Sequence, residues 1–262
     1  MNYEAYETIK VDVDDQGIMI LSLNRPEKMN AVSINMFAEI NDVLEKLKRD
    51  LEVRVVILRG EGEKGFCSGL DFKNVITPEI STDTPKLYDL SFLYSELQLN
   101  MRKIPQPIIA AVHGAAAGAG FCFVMAADIR IISPDTKFSN ASILAGVTGA
   151  DMGNTYFLPR QIGAGRAYDI LLTGRFMYAD EAMQLGFASY CVPREALMDK
   201  AMEVAGDIAK KEPLAVRLTK EAINQGLDCS GLEAAMHIEN RNQQTITCHT
   251  INQMMKAKLR KS

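Results

Sequence analysis

The stretch from Ile108 to Gly120 most constrains the fold, because an apolar strand breaks there into glycine and alanine just before another apolar segment. With almost no side chain at Gly118, Ala119 and Gly120, the main chain can approach a bound group closely and adopt unusual dihedral angles. Residues 121–128 follow as a predicted buried helix, whose first turn presents unpaired N–H groups and the positive end of its dipole. The pattern predicts either a site for an anion or oxyanion, or a strand-to-helix connection packed with small residues.

A second junction of the same kind lies earlier in the chain. The predicted strand Val53–Leu58 is followed by a charged turn and then by residues 66–71, FCSGLD. When two such strand ends are neighbours, two backbone N–H donors can converge on one carbonyl oxygen, which stabilises an enolate or a tetrahedral oxyanion. The pair of junctions therefore favours a functional site over simple packing.

Composition excludes several classes of function. The chain has 262 residues, of which 47% are hydrophobic and 24% charged, as is ordinary for a soluble globular protein. A net charge of −4 predicts no binding to nucleic acid or to an anionic membrane. The 5 cysteines form no CxxC pair and no metal-ligand cluster, and the acidic stretch Met1–Gly17 lacks the pattern of a targeting segment. We therefore expect a cytoplasmic protein with reduced thiols and no metal site.

Hydrophobic periodicity predicts an α/β protein with a helical end. Ile9–Val13 and Ile18–Leu23 alternate as strands, and a helix is predicted from Ser33, as N-cap, to Arg49. Strands then alternate with helices to about residue 133, and helices dominate after an irregular stretch that ends near residue 152. Such alternation favours parallel strands covered by helices.

An ordered set of motifs resembles the crotonase superfamily, also called the enoyl-CoA hydratase/isomerase family. The motifs are LNRPEKMNA at 23–31, FCSGLD at 66–71, AVHGAAAGAG at 111–120, AD at 127–128, LPR at 158–160, LTG at 172–174 and residues 182–186. The resemblance implies a spiral of ββα units over residues 1–195 and a C-terminal helical trimerisation region over residues 196–262. It also implies a homotrimer or homohexamer that acts on an acyl-CoA thioester in fatty acid metabolism, with no cofactor other than the coenzyme A of the substrate.

The resemblance assigns roles to both junctions. The backbone N–H groups of Leu70 and Ala119 match the oxyanion hole that holds the thioester carbonyl. Arg25 and Lys28 match positions that either approach the phosphates of coenzyme A or carry plain surface charge. The remaining residues of the implied CoA-binding surface are Ala31, Ser68, Gly69, Asp71 and Gly118, together with Leu70 and Ala119 themselves.

The two glutamates of true hydratases are absent from this chain. The resemblance places them at Cys122 and Ser142, and a thiol and a hydroxyl cannot replace two ionised carboxylates as bases that activate water near neutral pH. Asp151 matches instead the loop aspartate of some isomerases in the superfamily, although the loop before it is one residue longer here. The pattern of the site is therefore closest to that of enoyl-CoA isomerases with a single loop aspartate.

One carboxylate suffices to remove a proton from one carbon and return it two carbons away. The neighbouring apolar residues, among them Val147 and Met152, favour a raised pKa for Asp151 and hence a better base. The alternative is that Asp151 caps a helix that starts at Met152. Three functions remain open: an enoyl-CoA isomerase, a hydratase or other lyase or hydrolase on the same ligand, and a non-catalytic binding protein. The sequence does not specify the acyl group, whose pocket we expect residues 74–101 and the helical tail to line.

Overall fold

The computed structural model describes Tyr3 and residues 6–259, which form a mixed α/β fold with a helical C-terminal region. The strands are β1 (Ile9–Val13), β2 (Ile18–Leu23), β3 (Val55–Gly60), β4 (Ile108–Val112), β5 (Ala115–Ala117), β6 (Ile129–Ile132), β7 (Lys137–Ser139), β8 (Met177–Tyr178) and β9 (Tyr190–Cys191). The helices are α1 (Ile34–Leu47), α2 (Phe72–Val75), α3 (Pro78–Ser81), α4 (Thr84–Lys103), α5 (Ala119–Ala126), α6 (Ala141–Leu144), α7 (Asn154–Ile162), α8 (Ala164–Thr173), α9 (Ala179–Gln184), α10 (Leu197–Ala209), α11 (Pro213–Gly226) and α12 (Leu232–Leu259).

Two sheets organise the strands. The larger, 6-stranded sheet has the order β1-β2-β3-β4-β6-β9, in which β1 and β2 are antiparallel and the other neighbours are parallel. The smaller, 3-stranded sheet has the order β5-β7-β8, and its β5 follows β4 after a two-residue turn. Because β3 and β4 are parallel neighbours, the loops that leave their carboxyl ends emerge at the same edge of the larger sheet.

The larger sheet separates two apolar layers. Val56 and Leu58 of β3 face one layer, and Val55 and Ile57 face the other, because side chains alternate along a strand. The helices α1, α4 and α5 pack in the first layer, and α10 covers the second. Every residue of α5 is buried, so this helix lies in the interior and its N-terminal turn is fixed by packing on all sides.

Most of the predicted elements are present, with some corrections. The bounds of β1 and β2 are those predicted, and α1 begins at Ile34 with the Ser33 side chain accepting from the Met36 N–H at 3.2 Å. The predicted strand at Val53 starts two residues later. The polar stretch after the second junction contains α2 and α3, and Thr77 and Pro78 begin the turn of α3.

The helical end is longer and the middle of the chain more ordered than the sequence indicated. The stretch before residue 152, predicted to be irregular, contains β7 and α6, and α12 extends as one helix to Leu259. Short strands such as β7 lack the length that makes alternation recognisable. The division at residues 195 and 196 stays a prediction. Among the described residues, no helix is both long and apolar enough to cross a membrane.

Candidate active site

The two junctions of the sequence lie side by side. The Cys67 N–H donates to the Ala115 carbonyl oxygen at 3.0 Å, and the Ala117 N–H donates to the Cys67 carbonyl oxygen at 2.9 Å. A β-bridge between Cys67 and Ala116 therefore joins the turn after β3 to the strand after β4. This pairing places the residues that follow, Gly69 and Gly118, against each other.

Both glycines occupy backbone conformations that other residues avoid. Gly69 has φ +101° and Gly118 has φ +50°. A Cβ atom added to Gly69 would lie 3.0 Å from the Ala117 carbonyl oxygen, and one added to either glycine would lie 3.6 Å from the Cα atom of the other. The contact is therefore tight at Gly69, whereas at Gly118 the positive φ rather than the space favours glycine.

The N–H groups of Leu70 and Ala119 follow these glycines directly. Neither group donates a hydrogen bond to any part of the chain that the structure describes. Ala119 is the first residue of α5, so its N–H also lies at the positive end of the helix dipole. Because buried N–H groups are normally paired, two unpaired N–H groups on adjacent turns are suited to hold an oxygen that carries negative charge.

An ion-pair cluster lies beside the Leu70 turn. The Arg25 guanidinium contacts the Asp71 carboxylate at 2.8 Å, and it also donates to the Ala31 carbonyl oxygen at 2.5 Å. The side chains of Arg25 and Asp71 are only 14% and 11% exposed. Burial alone would raise the pKa of Asp71, but hydrogen bonds from Asn74 and Arg25 outweigh it and lower that pKa.

Arg25 is not a plain surface charge, because the Asp71 carboxylate pairs with it beside the Leu70 turn. Its approach to a phosphate of coenzyme A stays a prediction. The Lys28 ammonium is 46% exposed and lies 3.4 Å from the same carboxylate. Ser68 is exposed, and its hydroxyl donates to the Lys28 carbonyl oxygen at 3.3 Å. Of the two cations, Lys28 is therefore the one with an accessible head group.

The loop that carries Asp151 contacts α5 from its other side. The Cys122 thiol, one turn into α5, lies 3.9 Å from the Asp151 carbonyl oxygen. Although Asp151 is solvent-exposed as a residue, desolvation by the surrounding protein raises the pKa of its carboxyl group, and one hydrogen bond from the Met152 N–H opposes this shift. The fold therefore brings Asp151 to the helix whose first N–H belongs to Ala119.

Asp151 does not cap a helix that starts at Met152. Helix α7 begins at Asn154 with Gly153 as its N-cap, and the Asp151 carboxylate accepts from the adjacent Met152 N–H at 2.8 Å. Met152 itself has φ +49°, outside the helical region. That left-handed turn separates the carboxylate from the helix, so the predicted capping role is wrong.

Two buried asparagines hold the Asp151 loop, and sequence reasoning missed both. The side-chain amides of Asn140 and Asn154 donate to the Gly149 carbonyl oxygen at 3.0 and 2.6 Å. The Asp151 N–H also donates weakly to the Asn154 side chain, at 3.4 Å. An asparagine at the start of a helix, or directly before it, is the sequence signal that could have indicated such a loop-fixing role.

The two positions of the absent glutamates flank the paired turns. Cys122 is buried, and burial together with the charge of Asp151 raises the pKa of its thiol well above the usual range. Ser142 is half-buried on α6, and the Cβ atom of the preceding Ala141 is 4.0 Å from where Gly118 would carry one. At Cys122 the local environment disfavours an ionised group, so the thiol stays protonated near neutral pH.

A large cavity lies away from these residues. It has a volume of about 870 Å³ and is enclosed by α7, α10 and α11, and none of Leu70, Ala119 and Asp151 lines it. Size alone therefore does not locate the site. We place the candidate site at the paired N–H groups and the Asp151 loop instead, because these groups are chemically suited to act on a carbonyl compound.

The chain matches the family model described as enoyl-CoA hydratase/isomerase over residues 14–259. It is 39% identical over 235 residues to a protein of Mycobacterium bovis named "Probable enoyl-CoA hydratase echA12", with 88% of this chain and 82% of that protein covered. It is 33% identical over 230 residues to the 1,2-epoxyphenylacetyl-CoA isomerase of Escherichia coli, with 87% and 86% covered.

Solved structures agree with the sequence matches. The crystal structure of an enoyl-CoA hydratase from Bacillus anthracis superposes with a TM-score of 0.85 at 32% identity, covering 91% of this chain and 90% of that one. The architecture described above is therefore the crotonase fold, as the motifs predicted.

Proposed function

Given that this chain belongs to the enoyl-CoA hydratase/isomerase family, we propose that it binds an enoyl-CoA thioester and shifts the double bond of the acyl group through an enolate. One observation carries the choice of an isomerase: the acid beside α5 is an aspartate on a loop, whereas Cys122 and Ser142 stand where the resemblance puts two glutamates. A double-bond shift needs one group that takes and returns a proton, and hydration by the usual route needs two carboxylates.

The paired turns would hold the thioester. The N–H groups of Leu70 and Ala119 would donate to its carbonyl oxygen, and these bonds strengthen as the oxygen becomes an enolate oxyanion. Each such donor typically contributes about 3 kcal/mol to the stability of the transition state. Their adjacency across the Gly69 and Gly118 contact supports this role, since the donors are fixed before the substrate arrives.

Asp151 would act as both base and acid. Its carboxylate would remove a proton from the substrate, the negative charge would pass to the thioester oxygen, and the same carboxyl group would return the proton two carbons away. A raised pKa suits this role, because a carboxylate with a higher pKa is a stronger base and also a competent acid near neutral pH. Cys122, protonated and buried, would take no part in the transfer.

The coenzyme A part would lie along the edge that includes Ala31, Ser68 and Asp71, with Lys28 as the cation nearest to a phosphate. Arg25 would act indirectly, by holding Asp71 and the Leu70 turn in place. We also propose, from the family resemblance, that the protein needs no cofactor beyond this part of the substrate and that it assembles as a trimer or hexamer.

Hydration is the second candidate, and the names of several relatives favour it. Proton NMR in D₂O separates the two reactions when the purified protein is given a trans-3-enoyl-CoA and, separately, a trans-2-enoyl-CoA. We expect interconversion of the two enoyl forms with deuterium uptake and no 3-hydroxyacyl product. Formation of 3-hydroxyacyl-CoA would overturn the isomerase assignment, and no change in either substrate would favour another acyl group or a binding role.

A further inference from the structure

Two buried polar side chains on α4 have no hydrogen-bond partner. Tyr94 and Gln98 are 8% and 3% exposed, and they lie four residues apart, so both are on one face of the helix. The Tyr94 hydroxyl and both polar atoms of the Gln98 amide make no hydrogen bond to any described residue. Burial of such groups without a partner is unfavourable, and native proteins rarely keep them without a reason.

Other buried polar groups on the same helix are satisfied. Asn100 is also 3% exposed, yet its amide donates to Asn41 at 3.1 Å and its oxygen accepts from Lys48 at 2.9 Å. The lack of partners is therefore specific to the face that carries Tyr94 and Gln98. Because Asn100 is satisfied, poor packing of α4 as a whole does not explain the unpaired groups of Tyr94 and Gln98.

Tyr94 belongs to the same apolar cluster as Met152, the residue that follows the proposed acid Asp151. Burial and the negative charge of Asp151 both raise the pKa of its phenol, so the hydroxyl remains a neutral donor at any physiological pH. Its ring packs on that of Phe37 with centroids 4.6 Å apart, and Phe37 in turn contacts Phe123 of α5, the residue after Cys122. These contacts fix the phenol in the layer that also holds the first turn of α5.

The chemistry of these groups restricts what would satisfy them. The Tyr94 hydroxyl and the Gln98 amide nitrogen are donors, and the Gln98 oxygen is an acceptor. A hydrocarbon acyl chain offers none of the matching atoms and would leave all three groups unpaired. A carbonyl or hydroxyl oxygen on the acyl chain would accept from Tyr94 or Gln98, and a hydroxyl would also donate to the Gln98 oxygen.

We propose, on the basis of the function proposed above, that Tyr94 and Gln98 determine specificity for an acyl group that carries a carbonyl or hydroxyl oxygen beyond the carbons between which the proton moves. The residues lie within the 74–101 segment that the sequence predicts to line the acyl pocket. Tyr94 and Gln98 contribute to the choice of substrate, whereas Asp151 and the paired turns act on the reacting part of the molecule.

The test compares three non-reacting thioesters: hexanoyl-CoA, 5-oxohexanoyl-CoA and 5-hydroxyhexanoyl-CoA. Their dissociation constants are measured by calorimetry for the unaltered protein and for Tyr94→Phe, Gln98→Leu and Tyr88→Phe. Tyr88 is a matched control, since it lies on the same helix but is 63% exposed.

We expect the unaltered protein to bind at least one oxygenated thioester about tenfold more tightly than hexanoyl-CoA. Tyr94→Phe or Gln98→Leu should reduce that preference to about threefold or less without weakening hexanoyl-CoA, and Tyr88→Phe should keep it. Equal binding of all three thioesters would overturn the specificity role and leave the proposed function standing. Equal weakening of all three by Tyr94→Phe would overturn it too, and failure of every thioester to bind would overturn both.

Discussion

Two regions of the site contact α5 (Ala119–Ala126) from different sides: the paired turns around Gly69 and Gly118, and the loop that carries Asp151. In the turns the proposed donors belong to the backbone, and a Cβ atom at Gly69 would lie only 3.0 Å from the Ala117 carbonyl oxygen. In the loop the functional atom belongs to one side chain, and the asparagines Asn140 and Asn154 fix the backbone beneath it.

Under the proposed function, the two regions divide binding from chemistry. Oxyanion binding would depend on backbone geometry, which holds as long as the glycines remain. Proton transfer would depend on where a carboxylate is placed around that geometry, and Cys122 and Ser142 carry none here. Each prediction below perturbs one region and asks whether the other is unaffected.

The largest effect is expected for Asp151→Asn. Loss of the proton-transfer group should lower kcat by about 10³-fold, while the dissociation constant of an acyl-CoA should change by less than about threefold, because the backbone turns remain. Turnover and calorimetry measure the two quantities. Unchanged turnover would remove Asp151 from the mechanism.

The same variant makes a prediction about stability. Because burial raises the folded-state pKa of Asp151 above its ordinary value, its contribution to stability is present below that ordinary value and is lost as the pH rises through the folded-state pKa. At neutral pH the carboxylate is thus unfavourable for folding, and Asp151→Asn should leave the thermal midpoint unchanged or raise it. A lower midpoint would indicate a structural role.

Gly69→Ala and Gly118→Ala should distort the paired turns. Each places a Cβ atom where φ is positive, and at Gly69 also 3.0 Å from a carbonyl oxygen, so the donors should separate and kcat should fall by about 10²-fold. Gly165→Ala is the control, since that glycine lies in α8 with no atom within 4 Å of the added Cβ. Steady-state kinetics with circular dichroism would test this, and full activity in both variants would exclude the paired turns from catalysis.

The pH dependence of kcat/KM should reflect the loop that carries Asp151 and not the paired turns. Since the reaction needs ionised Asp151, kcat/KM should rise tenfold per pH unit up to its pKa, which lies above the ordinary aspartate value of about 3.9. The residual activity of Asp151→Asn should not show this rise of kcat/KM with pH. If the rise persists in that variant, another group titrates.

A smaller effect is expected for Asn154→Ala, which removes a buried donor to the Gly149 carbonyl oxygen. The loop should shift, and kcat should fall by about tenfold with little change in acyl-CoA affinity. Asn154→Asp should behave alike, because a carboxylate cannot donate to that carbonyl group. Full activity in both variants would show that the loop does not need this bond.

The smallest effect is expected for Cys122→Ser. The thiol is buried and protonated, so its replacement by another small hydrogen-bond donor should change kcat by less than about threefold. The measurement is the same turnover assay. A loss comparable to that of Asp151→Asn would indicate thiol chemistry and remove the distinction between the two regions.

The sequence by itself determined the local elements and the family. Alternation specified β1 and β2 to the residue, Ser33 marked the start of α1, and the ordered motifs identified the crotonase fold. The predictions of these elements succeed because burial pattern and capping depend on residues that are close in the chain. Shorter elements such as β7 and α6 carry too few residues for a pattern, and they were missed.

Only the tertiary structure decided which distant groups meet. It paired Arg25 with Asp71, placed Asp151 beside Cys122 rather than at a helix cap, and buried the Tyr94 hydroxyl without a hydrogen-bond partner among the described residues. Residue type indicates what a side chain can bind, but the partner depends on how helices and strands pack across the core. That packing is a property of the whole chain, so no local spacing encodes it.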